Sequence, residues 1–202
     1  MLTDIMESIQ FISSPIKSEK SALNIYSFNS NELVHKCIND VKDELIINPV
    51  INIYGRVAIQ HRSIGFFSND SIGYHYSGQL AKSKPLTNSL KELLETINNK
   101  FGTQFNGILV NKYMNGLDYI GAHSDNESYL DSGGVISISV GAVRKFRIRN
   151  KITKKIIVDV PTVYGCILHM NGDFQKEFTH EIPKETKIKD ARYSLTFRNH
   201  TK

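Results

Sequence analysis

From residue 105 to the C-terminus the chain is a succession of short segments in which apolar and polar residues alternate. No other feature constrains the fold as tightly. Segments 108–113, 135–140, 143–149, 156–160, 166–170, 177–182 and 193–198 each read as a half-buried strand. Turn signals separate them, including Asn115-Gly116, Gly133-Gly134 and Asn171-Gly172. Many short strands at regular spacing require a sandwich or a barrel-like roll. Upstream the period is helical. Ser30 stands as an N-cap before Leu33, Val34, Cys37, Ile38, Val41 and Leu45, and a second helix over about 87–101 carries Leu90, Leu93, Leu94, Ile97 and Phe101 on one face. Between the helices lie two β-like pieces, 50–59 and 73–78. The expected fold class is mainly β (α+β), a β-core with helices packed on its N-terminal side.

At 202 residues there is room for one domain with a sizeable core. Residues 1–29 show no clean period and contain Ser13, Ser14, Pro15 and Ser18, so they read as a peripheral arm; 30–202 read as a single domain. With 40% hydrophobic and 22% charged residues the chain is too apolar and too balanced in charge to be disordered. No apolar run reaches the roughly eighteen residues a bilayer-spanning helix needs, so no membrane partner is expected. Asp4 and Glu7 interrupt the N-terminus where a secretory signal would be basic and then apolar. Cys37 and Cys166 lie far apart in apolar surroundings and read as reduced, buried thiols. Both features point to an intracellular protein of the nucleus or cytoplasm, expected to be a monomer. The net charge of +5 permits a polyanionic partner without requiring one.

Three constellations carry chemistry. In His123-Ser124-Asp125 an imidazole and a carboxylate stand two residues apart, hence on one side of an extended segment, and His180 offers a further nitrogen. Two His and one carboxylate on one face of an octahedral ion leave three positions open, as a non-haem Fe(II) oxygenase requires; the plainer alternative is a surface histidine near a solvated aspartate. In 192–198, Tyr193, Leu195 and Phe197 face one way, while Arg192, Ser194, Thr196 and Arg198 share the other face. Two guanidiniums inside a β-core call for carboxylates or another anion, whose geometry the Arg fork matches; a solvent-facing edge strand would also explain them. Leu109, Asn111 and Tyr113 share a face just before the turn that leads to His123.

The ordered set Asn111-x-Tyr113, His123-x-Asp125-x-Glu127, Arg144-x-Phe146, His180 and Arg192-x-Ser194-x-Thr196-x-Arg198 resembles the AlkB family, Fe(II)/2-oxoglutarate-dependent nucleic-acid dealkylases. The resemblance covers roughly residues 50–200. Upstream, Ile53-Tyr54-Gly55, Arg62 and Tyr74-His75-Tyr76-Ser77-Gly78 resemble the nucleotide-recognition lid of the branch acting on duplex DNA. It implies a double-stranded β-helix, or jelly-roll, core at about 105–200 and a lid at about 50–80.

Position by position, the resemblance implies that His123, Asp125 and His180 ligate Fe(II). It assigns Asn111, Tyr113, Arg192, Ser194 and Arg198 to 2-oxoglutarate, one Arg on the distal carboxylate and the other at the metal end. Glu127 matches an acid that contacts the target base and can pair with Arg198. Tyr76 matches the aromatic that stacks the flipped base against His123, and Tyr74 a hydrogen-bonding neighbour. Ile53 and Tyr54 match an apolar wedge that fills the gap left in the duplex, and Arg62 a lid residue near the nucleotide. The chain departs from the family's commonest pattern at Phe178, where Trp or Tyr is frequent, and at Ser194, where Asn is usual.

The implied activity is oxidative demethylation of bases such as 1-methyladenine or 3-methylcytosine in DNA with O2 as cosubstrate, releasing formaldehyde, CO2 and succinate. A base inside a duplex must be flipped out to be reached, and such lesions are already unpaired. Alternation in 143–149 places Lys145, Arg147 and Arg149 on one face, followed by Lys151, Lys154 and Lys155, a ridge suited to nucleic-acid phosphates or simply a solvated charged face. Other readings are an RNA or single-strand demethylase of the same family, a small-molecule cupin-like metalloenzyme, a zinc hydrolase, or an inactive reader of modified nucleic acid. HExxH is absent, and neither zinc hydrolysis nor small-molecule chemistry accounts for both the Arg192/Arg198 strand and the lid.

Overall fold

A computed structural model of the chain describes residues 2–53, 55–76, 79–125 and 134–200, of which 2–4, 31, 53, 75 and 76 by backbone alone. In chain order, α1 (Leu2–Glu7), β1 (Ile9–Lys17), β2 (Ser21–Phe28) and α2 (Asn31–Val41) precede a hairpin of β3 (Val50–Ile53) and β4 (Arg56–Ile59). Next come β5 (Ser63–Phe67), β6 (Gly73–Tyr76), β7 (Gln79–Lys84), α3 (Asn88–Phe101), β8 (Gly107–Tyr113) and β9 (Ile120–His123). The chain continues through β10 (Val135–Gly141), β11 (Lys145–Asn150), β12 (Ile156–Pro161), β13 (Cys166–Gly172), α4 (Phe174–Glu177), β14 (Phe178–Ile182) and β15 (Arg192–Arg198). The large sheet runs β1-β2-β13-β10-β15-β8-β5-β7-β6, the small sheet runs β12-β11-β14-β9, and β3 pairs only with β4 among the described residues.

The architecture is a jelly-roll of two facing sheets with helices on the outer face of the large one. Alternation decides which side chain goes where. Leu195 and Phe197 of β15, with Ile108 and Val110 of β8, pack with the buried faces of α2 and α3. Leu23, Leu168, Met170, Phe146, Ile148 and Phe178 fill the space between the sheets. The polar row of β15 therefore faces inward, between the sheets, rather than solvent. The α3 helix begins where the apolar spacing indicates: Thr87 accepts a hydrogen bond from the Leu90 N–H at 3.2 Å. Ser30 holds the N-cap position of α2, but its side chain makes no capping bond.

Residues 2–29 are not an appended arm. After the short α1 they form the β1–β2 hairpin, and β2 pairs with β13 from Cys166↔Ser27 to Gly172↔Ser21, which adds two strands to the large sheet. Leu23 is fully buried, and Ile9 and Phe28 are nearly so. The hairpin escapes period-2 reading because the β1 register shifts between Phe11 and Ser13 and again between Ser13 and Ile16. Pro15 is tolerated because β1 is an edge strand, where a missing N–H breaks no ladder.

Candidate metal centre and cleft

His123 ends β9 and lies directly opposite His180 of β14 in an antiparallel pair, so both rings stand on one face of the small sheet. Asp125 returns to that side two residues later. The three ligand atoms lie within 4.8 Å of one another. His123 Nε2 is 3.9 Å from Asp125 Oδ1, and His180 Nε2 is 3.8 Å from Asp125 Oδ2. The Nδ1 of His123 lies 2.8 Å from the Gly121 carbonyl; donating there turns Nε2 into the free lone pair. Phe146 stacks on His180 at 5.1 Å and 19°. The Asp125 N–H donates to Gln175 Oε1 at 2.9 Å, and the Ser124 hydroxyl to the Phe178 carbonyl at 2.8 Å, which ties the ligand loop to α4 and β14.

The electrostatics set the protonation a divalent ion needs. Burial alone would raise the Asp125 carboxyl, but the Arg198 guanidinium at 3.1 Å, helped by the two imidazoles, outweighs it and holds the pKa at about 2. Burial, then the neighbouring His123, lowers His180 to about 3. His123 is also lowered, by burial first, although the adjacent Asp125 opposes the shift. At neutral pH the cluster is thus one carboxylate and two neutral imidazoles, a donor set that fits Fe(II).

The cluster opens into a cleft of about 530 Å³ between the sheets, lined by Asn111 and Tyr113 of β8 and by Arg192, Ser194, Thr196 and Arg198 of β15. The two guanidiniums do different work. Arg198 pairs with Asp125 at the metal end. Arg192 is 2% exposed and donates to the hydroxyls of Thr162 at 3.1 Å and Ser139 at 2.8 Å. Among the described residues no carboxylate pairs with it, and burial lowers its pKa. A buried cation held by neutral hydroxyls is suited to an anion, so these residues fit the distal carboxylate of 2-oxoglutarate.

Ile51, Ala58 to Arg62 and Tyr74, from the segment expected to be a lid, line the other side of the cleft. Arg62 is buried, and its Nε donates to Asn111 Oδ1 at 2.8 Å, which joins this side to β8. The Arg198 guanidinium lies 5.0 Å from the Tyr74 ring centroid. Tyr54 and Glu127 lie outside the described residues, as do the side chains of Ile53 and Tyr76.

The free basic ridge expected at Lys145, Arg147 and Arg149 needs correction. Arg147 binds Asp159 through two bonds of 2.7 and 2.8 Å, and Arg149 binds Glu181 at 2.8 and 2.9 Å. Lys145 is exposed, and the two arginines of the ridge are paired with acids on the strands flanking β11. Sequence reasoning also passed over Gln175, Thr162 and Ser139, which position Asp125 and Arg192. A lone glutamine or hydroxyl carries no spacing signal, and it acquires its role only when β10, the end of β12 and α4 are brought beside the ligand loop and β15.

A jelly-roll enclosing two His, one Asp and a buried arginine supplies the donor set and anion seat that a non-haem iron oxygenase using a keto acid requires. The chain belongs to the 2OG-Fe(II) oxygenase superfamily, whose model matches residues 26–198, and within it to the AlkB family. The match starts upstream of the residue-50 boundary expected from motifs and takes in α2. Human "DNA oxidative demethylase ALKBH2" is 30% identical over 156 residues, 73% of this chain and 60% of that protein. The Arabidopsis thaliana ALKBH2 is 27% identical over 177 residues, 74% of this chain and 56% of its own length. Human "Alpha-ketoglutarate-dependent dioxygenase alkB homolog 3" is 36% identical over 118 residues, 54% of this chain and 41% of the relative. The chain spans about three-fifths of the length of the ALKBH2 proteins it matches. The solved structure of OsALKBH1 overlays 91% of this chain and all of its own with a TM-score of 0.57 at 16% identity, a likeness of fold.

Proposed function

We propose that this protein is an Fe(II)/2-oxoglutarate-dependent dioxygenase that removes methyl groups from the ring nitrogens of bases in DNA, of the 1-methyladenine and 3-methylcytosine type. The observation that carries the reading is the two-imidazole, one-carboxylate cluster sharing a cleft with Arg192, a buried guanidinium without a carboxylate partner among the described residues. The chemistry that bound iron and 2-oxoglutarate supply is oxidation of the methyl carbon by O2, yielding formaldehyde, the unmodified base, succinate and CO2. The chain's own residues bind, orient and exclude water. His123, Asp125 and His180 hold the ion, and Arg192 with Ser139 and Thr162 receives the far carboxylate. Arg198 keeps Asp125 ionised, while Asn111, Tyr113 and Ser194 line the cosubstrate wall.

The flipped base would enter from the lid side, past Tyr74, with Tyr76 and Glu127 in the stacking and base-contact roles the family motif assigns. A duplex substrate is supported by the β3–β4 hairpin, which stands beside the cleft and exposes Val50, Val57 and Ile59. These exposed apolar residues lie along the hairpin rather than at its turn, and the motif assigns the wedge that enters the duplex to Ile53 and Tyr54. Formaldehyde release from methylated duplex DNA, single-stranded DNA and RNA tests the proposal. Release is expected from DNA, with Tyr54→Ala impairing duplex more than single strands, and none from Asp125→Ala. Activity confined to RNA would overturn the DNA assignment.

A further inference from the structure

At the end of β4 and just beyond it, Ala58, Ile59, Gln60, His61 and Arg62 all line the cleft; Ile59 and His61 are also exposed to solvent, whereas Gln60 and Arg62 are buried. Arg62 is satisfied by Asn111. Gln60 is not. Its side chain is 5% exposed, and its Oε1 is buried with no hydrogen-bond partner among the described residues. The Gln60 N–H donates to the Pro49 carbonyl at 2.9 Å, so the main chain is anchored where the carboxamide projects. A buried amide oxygen without a donor is a desolvated acceptor that a ligand donor would relieve. It belongs to the lid wall of the cleft, across from the row of β15 that faces the cosubstrate.

We propose that Gln60 is a specificity-determining residue whose Oε1 accepts a hydrogen bond from the exocyclic amine of the base held in the cleft. The inference rests on the base-dealkylation reading above. Beside the alkylated nitrogen, at C6 of the purine or C4 of the pyrimidine, 1-methyladenine and 3-methylcytosine carry an NH2 group, whereas 1-methylguanine and 3-methylthymine carry a carbonyl oxygen at that position. An acceptor at Gln60 therefore favours the first pair and leaves two oxygens facing each other in the second, a difference of the kind by which buried polar groups discriminate.

The test compares 3-methylcytosine with 3-methylthymine in the same DNA sequence. Formaldehyde release gives kcat/KM, and fluorescence anisotropy under anaerobic conditions gives the affinity of the Fe(II)- and 2-oxoglutarate-loaded protein. Gln60→Met keeps length without an acceptor and is expected to lower both measures for 3-methylcytosine about tenfold, while 3-methylthymine changes less than about threefold. Gln60→Glu keeps the acceptor and is expected to retain or raise the wild-type preference. Equal losses on both bases, no change on either, or loss of the preference in Gln60→Glu overturns the inference. A wild-type protein releasing formaldehyde from neither base brings down the dealkylation reading itself, and Gln60's role with it.

Discussion

Arg144 is the clearest case of a residue whose role emerges only from its surroundings. It is 1% exposed, yet its guanidinium donates to the carbonyls of Asn115, Asp118 and Pro183 at 2.7–3.0 Å and lies 3.3 Å from the Glu185 carboxylate. It thereby clamps the loop before β9 to the loop after β14, the two strands that bear His123 and His180. Gly116 is required at this junction because a Cβ there would strike the Glu185 carbonyl. Arg144→Met is expected to cost about 3–5 kcal/mol in denaturant unfolding, since it removes the buried guanidinium that serves three carbonyls and Glu185; a loss below about 1 kcal/mol would contradict this. The two thiols make a second residue-scale prediction. Burial, opposed by a bond with Ser89, pushes Cys37 up to about 12, and burial, opposed by Arg192, pushes Cys166 to about 11. Both stay protonated below those values, so the native protein at pH 8 should not react with a thiol reagent and the unfolded chain should show two thiols.

Among the elements, β15 was fully legible. Strict alternation from Arg192 to Arg198 announced an apolar face and a guanidinium-bearing face, and the first packs on helices while the second lines the cleft. For β11 alternation revealed the face but not its neighbours: Arg147 stands opposite Asp159 on one side and Glu181 on the other, and cross-strand register is invisible in a single segment. Arg147→Gln should accordingly leave the salt slope of DNA binding almost unchanged, whereas Lys145→Gln should lower it by up to about 1; a larger change from Arg147 would restore the ridge. The β1–β2 hairpin was illegible because its bulges break the period. Leu23→Ala is expected to destabilise the fold by about 2–5 kcal/mol in the same unfolding assay, where an appended arm would give almost no change.

At the scale of the molecule, the jelly-roll makes residues 55 positions apart, Asp125 and His180, into neighbours, and sets their cluster at the mouth of a cleft whose far wall holds Arg192. A period of two made the His123/Asp125 pair and the arginine strand readable, whereas His180 was placed with them by the family resemblance. Which arginine serves which end was not readable: that depends on Arg198 reaching Asp125 while Arg192 is left among the hydroxyls of Ser139 and Thr162. The central claim is that His123, Asp125 and His180 together hold Fe(II) beside a chelating keto acid. Anaerobic titration with Fe(II) and 2-oxoglutarate, followed by the visible charge-transfer absorption of the iron–keto acid chelate, tests it most directly. The account predicts one iron per chain, a band lost in Asp125→Ala and a weakened 2-oxoglutarate affinity in Arg192→Met. A band of undiminished strength in Asp125→Ala would contradict it.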